Sequence, residues 1–189
     1  MVKLYNYEHK LAYEGEFLNG EKGGHGKLFD DMGRVIYEGE FLNDKKNGIG
    51  KEYDEYGRLI FEGEFLYNYR KKGKYYFYDK LEFEGEFLLD KKYSGIGYDR
   101  NGNIKYELKN GNGKVIEFYK THISFDGVYL NGLKHGFGIE YDQSGYLDYK
   151  GNFLNGKRHG AGEEYDLSKK IIYKGKFING KRGNNCEIF

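Results

Sequence analysis

Proline and tryptophan are absent from this 189-residue chain, and cysteine occurs once, as Cys186. The lack of proline and of a three-residue glycine period excludes a collagen-like helix. A single cysteine cannot form an internal disulfide, which favours a reducing compartment. Intrinsic disorder is disfavoured as well, because disordered chains are poor in aromatics whereas 19% of these residues are aromatic. What remains is an ordered structure built from tyrosine, phenylalanine and glycine.

The chain also lacks an excess of either charge and any long apolar run. Its 31 basic and 30 acidic side chains give a net charge of +1, whereas nucleic-acid-binding domains carry a clear basic excess. The mean hydropathy is −0.87, and no stretch approaches the roughly 20 apolar residues of a membrane span. The first residues contain no apolar run suited to a signal peptide. We therefore expect a cytoplasmic protein that binds no nucleic acid.

The abundant residues, 30 glycines, 21 tyrosines and 14 phenylalanines, are arranged in a repeat. A five-residue segment of the form aromatic-x-Gly-x-aromatic recurs along the chain. Its copies begin at Tyr13, Tyr37, Phe61, Phe83, Phe125, Tyr149 and Tyr173. A degenerate copy begins at Tyr106, where Leu108 replaces the glycine. The chain is therefore a series of similar supersecondary units.

Each unit has the pattern of one β-hairpin. Side chains alternate between the faces of a strand, so the five-residue segment places both aromatics and the glycine on one face. A polar, glycine-rich stretch such as 155–160 is typical of a hairpin turn, and the Gly-x-Gly-x-x-Tyr pattern of 160–165 indicates the returning strand. We predict an all-β fold, an elongated single antiparallel meander sheet of tandem β-hairpins with roughly fifteen strands.

Glycine inside strands needs an explanation, because it normally weakens them. An aromatic ring from a neighbouring position can cover the gap that a missing side chain leaves. We therefore predict that tyrosine and phenylalanine rings lie over glycines and form a ladder along the sheet.

The repeat boundaries divide the chain into three segments. Residues 1–12 are interpreted as an N-terminal half-repeat, residues 13–183 as about seven tandem repeats, and residues 184–189 as a C-terminal tail. The units at 61–124 are degenerate, since Lys72 and Lys74 stand where glycines are expected. We expect a change of curvature between residues 70 and 124.

The combined pattern Tyr-x-Gly-x-Phe-x-Asn-Gly followed by Gly-x-Gly-x-x-Tyr resembles the MORN repeat (membrane occupation and recognition nexus). The resemblance covers nearly the whole chain, from Tyr5 to about Gly183. It implies an elongated, groove-bearing β-sheet used for scaffolding and protein–protein contacts. It also implies repeats without catalytic activity of their own, and phosphoinositide binding has been ascribed to the family.

Residue types that carry chemistry are present, but not in a useful arrangement. His135 and His159 occupy equivalent loop positions. Two strand spacings would separate them by roughly 9–10 Å, which is too far for them to share a metal. The Gly-x-Gly elements lack the strand–loop–helix context of a phosphate loop. Carboxylate pairs such as Glu14 and Glu16 recur in four units and are typical of a solvated face. We predict no catalytic, cofactor-binding or metal-ligating residue, and no enzyme.

The aromatic face is the predicted surface for a peptide or helix of a protein partner. The predicted contact residues are Tyr37, Phe41, Tyr149 and Phe153, because tyrosine is enriched at interfaces. The alternative is that these rings are fully used in covering glycines.

A second hypothesis is based on the loops, because a meander places the loops within repeats on one edge and the turns between repeats on the other. The turns carry aspartates such as Asp30, Asp54 and Asp142. The loops carry basic residues, each of which would contribute ~1 kcal/mol near an anionic lipid surface; alternatively, they only block edge pairing. The candidate lipid-binding residues are Lys45, Lys46, Arg70, Lys71, Lys72, Lys91, Lys92, Lys134, Lys157, Arg158, Lys181 and Arg182.

Two further hypotheses concern partners. MORN-like repeats also resemble small bacterial immunity or antitoxin proteins, which mask a toxin. Residues 1–94 are net acidic and residues 95–189 net basic, which favours head-to-tail homo-oligomers through open terminal strands. A scaffold of this kind would be associated with a membrane or the cytoskeleton.

Overall fold

The computed structural model describes residues 1–187, and the side chains of residues 1–183. Within this part of the chain there are seventeen strands and no helix, which confirms the predicted all-β fold. The predicted tail contributes to the last strand, and its residues 188 and 189 lie outside the described part. The strands are β1 (Val2–Tyr5), β2 (Leu11–Leu18), β3 (Glu21–Phe29), β4 (Val35–Leu42), β5 (Lys45–Tyr53), β6 (Leu59–Leu66), β7 (Tyr69–Phe77), β8 (Lys80–Leu88), β9 (Lys91–Tyr98), β10 (Ile104–Leu108), β11 (Gly113–Tyr119), β12 (His122–Leu130), β13 (Leu133–Tyr141), β14 (Leu147–Leu154), β15 (Lys157–Tyr165), β16 (Ile171–Ile178) and β17 (Lys181–Glu187).

Within each sheet every strand pairs with its neighbours in sequence, as predicted, but the antiparallel meander forms two sheets, β1–β10 and β11–β17, where one was expected. The interruption falls at the degenerate repeat. Other repeats pair glycine with glycine, as in Gly39 with Gly50, whereas here Leu108 stands at the glycine position with its side chain buried. Beyond Leu108 the strand pairing is reduced to an isolated bridge between Lys109 and Asn112. One substituted glycine therefore coincides with the end of the first sheet.

Two compact units make up the molecule. The first contains Met1–Lys92 and Tyr98–Asn103. The second contains Tyr93–Gly97 and the chain from Ile104 onward.

The loops within repeats are two-residue turns with positive φ at both positions, which matches the right-handed twist of the flanking strands. Asn155 and Gly156 have φ of 50° and 82°. Each tip also contacts the preceding hairpin, as where Gly156 N–H donates to Lys134 O at 2.9 Å. The predicted hairpin turn at 155–160 is therefore present, and it connects adjacent repeats.

The turns between repeats depend on an aspartate. Asp54 Oδ1 accepts hydrogen bonds from the backbone N–H groups of Tyr56 at 2.8 Å and Arg58 at 3.0 Å. Asp30, Asp99, Asp142 and Asp166 repeat this arrangement. The acidic residues of this edge are thus part of the turns themselves.

The core of each unit consists of rings packed over glycines. A Cβ added to Gly151 or Gly162 would overlap the Tyr149 ring, and the two glycines face each other across β14 and β15. Phe125 covers Gly127 and Gly138 in the same manner. The predicted ring-over-glycine packing is therefore the packing observed.

The rings also contact each other in an edge-to-face ladder, a favourable geometry for aromatic pairs. In the second unit the centroid of Tyr149 lies 5.2 Å from that of Phe153 and 5.0 Å from that of Phe177. In the first unit Tyr37 lies 5.2 Å from Phe41 and 5.1 Å from Phe65. Each leading aromatic thus links its own hairpin to the next.

No described helix could span a membrane.

Candidate binding groove

The face that carries the aromatic rings is closed. The four rings expected to meet a partner, Tyr37, Phe41, Tyr149 and Phe153, expose at most 4% of their surface. They pack against glycines and against each other, so they present no free surface to a peptide or helix. The structure thus supports the alternative, in which the rings are used within the core.

Charged side chains lie over these rings and cover them. The guanidinium carbon of Arg158 is 4.6 Å from the centroid of the Tyr149 ring, and Lys46 Nζ is 4.9 Å from that of Tyr37, both within cation–π range. Glutamates join the cations of neighbouring hairpins, since Glu140 accepts from Lys134 Nζ at 2.8 Å and from Arg158 Nε at 2.8 Å. We call this layer the ionic ladder; it consists of Lys46, Glu52, Arg70, Glu82 and Lys92 in the first unit and Glu117, Lys134, Glu140, Arg158, Glu164 and Arg182 in the second.

The ionic ladder divides the predicted lipid-binding residues into two groups. One group turns onto the rings and pairs with glutamates; it comprises Lys46, Arg70, Lys92, Lys134, Arg158 and Arg182. The other group does not cover the core rings; it comprises Lys45, Lys71, Lys72, Lys91, Lys157 and Lys181, all of them exposed. Lys71 is paired with Glu64 at 2.6 Å, and Arg182 of the first group is exposed as well.

The two equivalent histidines, predicted in loops, lie near the start of returning strands, His135 in β13 and His159 in β15. His159 Nδ1 accepts a hydrogen bond from the Asn179 N–H of the next hairpin tip at 3.4 Å, and Asn47 makes the matching contact with Tyr67. Among the described residues no three His, Cys, Asp or Glu side chains group closely enough to hold a metal ion. The side chain of Cys186 lies outside the described part.

The opposite face of the sheets is open to solvent and carries charged rows. In the first unit the register places Glu38 beside Lys27 and Lys51, and Lys27 Nζ lies 3.0 Å from Glu38 Oε1. Acidic and basic side chains alternate along this row, so the charges there balance within the sheet.

On the open face of the second unit lies a groove of about 920 Å³, which we call the β13–β16 groove. The backbones of glycines 151, 162 and 175 contribute to its lining, together with Ala161. The Phe137 ring lies beside them and is 52% exposed. The remaining charged or polar lining residues are Lys150, Asn152, Glu163, Lys174 and Lys176.

Two side chains on the open face differ between the units. In the first unit Glu40 folds back over Gly48 and accepts from the Ile49 N–H at 3.2 Å. Asn152 holds the matching place in the second unit; its Nδ2 donates to Ala161 O at 3.4 Å, and its side chain comes no nearer than 3.6 Å to a Cβ added at Gly160. Ala161 itself stands where the first unit has Ile49. Two smaller side chains thus leave more space above the glycines of the second unit. A pocket on the open face of the first unit, at its first hairpins, measures about 350 Å³.

The charge of the β13–β16 groove is basic, with three lysines against one glutamate. Glu163 already has partners, because Tyr165 Oη donates to it at 2.6 Å and Lys174 Nζ lies at 3.2 Å. The hydrogen bonds from Tyr165 and then Lys174 hold the pKa of Glu163 below its ordinary value. Among the described side chains, Lys150 and Lys176 form no ion pair and are exposed.

The predicted contact rings lie on the closed face, whereas the groove lies on the opposite face, and two signals in the sequence point to this arrangement. Strict alternation along β15 puts Arg158, Gly162 and Glu164 on one face, which is the face of the rings. The replacement of the glutamates of early repeats by Lys150, Lys174 and Lys176 is also visible in the sequence. The fold-back of Glu40 has no such signal, because it depends on a side-chain rotamer.

Comparison with protein families gives one result. The model for the MORN repeat matches residues 13–33, 37–55, 125–145 and 149–166. These stretches coincide with β2–β5 and β12–β15, the hairpins in which rings cover paired glycines. A search of curated proteins finds no match to the chain.

Proposed function

Because four stretches of this chain are MORN repeats, modules that often mediate protein or membrane interactions, we propose that it is a non-catalytic protein-binding scaffold that holds a segment of a partner in the β13–β16 groove. The observation that carries the proposal is the groove itself. It is large enough for several side chains of a peptide, and sites of this size bind ligands through apolar floors with a few polar groups.

The Phe137 ring supports a protein partner in particular. An aromatic ring half exposed on a sheet is the kind of anchor that dominates protein interfaces when a partner covers it. The rigid strands on either side hold the ring in place, so little ordering would be needed on binding.

A photo-crosslinking experiment tests the scaffold proposal. The intact protein would carry a benzophenone amino acid at position 137 in one sample and at position 167, an exposed turn residue, in a control sample. In extract of the source cells, position 137 should yield a discrete crosslinked protein that excess unlabelled protein competes away. Equal products from both positions, or none from position 137, would contradict a binding site in the groove.

A second candidate function, association with anionic membranes, is supported by the hairpin tips. An exposed aliphatic side chain lies opposite an exposed lysine at successive tips, as Leu154 with Lys157 and Ile178 with Lys181. Apolar groups combined with lysines suit a membrane interface.

Vesicle flotation tests the membrane hypothesis. Binding to phosphatidylserine vesicles that is lost with neutral vesicles, and reduced by the double variant Leu154→Ser with Ile178→Ser, would support it. Absence of binding at low salt would eliminate it.

A further inference from the structure

We propose that the segment bound in the β13–β16 groove is acidic, with carboxylates on either side of an apolar side chain. This inference builds on the proposed scaffold function, since it specifies the chemistry of the partner. It is carried by the placement of the three lysines around an apolar floor.

The strand register brings the lysines to two sides of the floor. Lys150 on β14 and Lys174 on β16 flank Glu163 on β15, so they are roughly two strand spacings, or 9–10 Å, apart. Lys176 lies opposite Ala161, two residue pairs along the strands. A carboxylate at either end of a short segment would therefore meet a lysine while the residue between them contacts Ala161 and Phe137.

Two of the three lysines are available for such a partner, because Lys174 is paired with Glu163. Glu163 also accepts a hydrogen bond from Tyr165, so it adds little repulsion toward an incoming carboxylate. Lys150 and Lys176 have no ion pair with any described side chain and are exposed. Charge complementarity of this kind sets the specificity and association rate of an interface.

The first unit provides an internal comparison, because Tyr37 and Tyr149 begin matching repeats. At the positions that match Lys150, Lys174 and Lys176, the first unit has Glu38, Glu62 and Glu64. The position that matches Glu163 is Lys51. The same backbone frame thus carries the opposite charge, with Glu40 folded over its floor. Basic charge and an open floor occur together in the second unit.

The probe is a dye-labelled peptide of sequence EELEELEE, with KKLKKLKK and QQLQQLQQ as controls, and the readout is fluorescence anisotropy with the intact protein. The acidic peptide should bind, and its affinity should fall as salt is raised, because exposed ion pairs are screened. The other two peptides should bind at least about tenfold more weakly. Equal binding of the neutral peptide would overturn the acidic assignment.

The decisive variant is Asn152→Glu, which copies the first unit and should place a carboxylate over Gly160. It should weaken binding of the acidic peptide by about tenfold or more, whereas Asn152→Gln, of the same length but neutral, should have a clearly smaller effect. Replacing Lys150, Lys174 and Lys176 together by glutamine should also weaken binding by about tenfold. The matched control replaces Lys157, Lys169 and Lys181, exposed lysines outside the groove, and should change affinity less than about twofold.

Circular dichroism melting checks that each variant is folded, and single lysine variants replace the triple variant if it is not. Unchanged affinity in folded Asn152→Glu protein would overturn the proposal. Phosphatidylserine vesicles form a separate arm: if groove variants abolish vesicle binding while no peptide binds, the lysines meet lipid and the proposal fails. If crosslinking from position 137 succeeds but the acidic peptide does not bind, the scaffold function stands and only the acidic partner is rejected.

Discussion

At the scale of single residues, the leading aromatic of each repeat covers glycine whether or not it has a hydroxyl group. Phe125 covers Gly127 and Gly138 without one. Tyr149 adds a hydrogen bond from its Oη to Asn152 O at 3.0 Å, and Tyr37 makes the matching bond to Glu40 O at 2.9 Å. The ring therefore provides the packing, and the hydroxyl provides a separate contribution that can be measured alone.

The variant Tyr149→Phe tests this separation. At pH 8 it should lower the free energy of unfolding by about 1 kcal/mol, the usual value of one hydrogen bond. Burial raises the pKa of Tyr149 to about 12. Because the pKa is higher in the folded state than in the unfolded state, the stability linked to the neutral hydroxyl is complete below about pH 10 and is lost as the pH rises toward about 12.

Urea titrations of both proteins at pH 8 and pH 11 provide the measurement. The advantage of the wild type should narrow or reverse at pH 11, while lysines and other tyrosines titrate equally in the two proteins. If the difference in unfolding free energy between the two proteins is the same at both pH values, burial in the core does not raise the pKa of the Tyr149 hydroxyl.

At the scale of secondary-structure elements, the turns between repeats depend on one carboxylate each. Asp54 accepts from two backbone N–H groups and from Arg58 Nε at 2.8 Å. Burial alone would raise the pKa of Asp54. The hydrogen bonds and the charge of Arg58 outweigh this effect and help to keep the pKa of Asp54 below its ordinary value. The aspartate thus fixes the geometry with which one hairpin leads into the next.

Replacing Asp54 with alanine should destabilise the first unit by about 1 kcal/mol, because two turn N–H groups lose their acceptor. Hydrogen exchange should speed up at the amides of Tyr56 and Arg58. The variant Glu55→Ala changes an exposed neighbour in the same turn and should leave both stability and exchange unchanged. Equal effects of the two substitutions would show that local charge, and not the hydrogen bonds, matters.

The hairpins could be predicted from sequence because each depends on residues within one repeat. The alternation of Tyr37, Gly39 and Phe41 and the polar tip after them are local signals. The split into two sheets was not predicted, because the degenerate unit with Leu108 was expected only to lie in a region of changed curvature, residues 70–124. The two-residue turn at Tyr78 and Asp79, which shortens one repeat, was also missed.

At the scale of the whole molecule, the loop cations that were predicted to form one basic edge are divided between the open face and the covered face of the sheets. Lys157 and Arg158 are adjacent, yet one is exposed while the other lies on the Tyr149 ring. Neighbours along a strand point to opposite faces, so a count of loop cations overstates the basic edge. The groove residues needed more than alternation, because the open floor also reflects the small side chains of Asn152 and Ala161, where the first unit has Glu40 and Ile49.

The ionic ladder joins strands that are not adjacent in the sheet, and Glu140 occupies a central place in it. Its carboxylate on β13 bonds Lys134 on the same strand and Arg158 on β15. Burial alone would raise the pKa of Glu140, but the hydrogen bonds and charges of Lys134 and Arg158 outweigh it and hold the pKa below the ordinary value of 4.5. The ladder should therefore stabilise the second unit only while this group is ionised.

The variant Glu140→Gln tests that dependence. At pH 7 it should lower the free energy of unfolding by about 2 kcal/mol, because two partly buried cations lose a shared partner. A depressed pKa contributes stability above its unfolded value, and this contribution is lost as the pH falls through the folded value. The difference between wild type and variant in urea titrations should thus shrink steadily below about pH 5. The variant Glu8→Gln removes one exposed partner of Lys10 and should cost less than about 0.5 kcal/mol at either pH. If the loss of unfolding free energy in Glu140→Gln is the same at pH 3 as at pH 7, the carboxylate acts through shape and neutral hydrogen bonding. The charges of the ladder would then not hold neighbouring hairpins together.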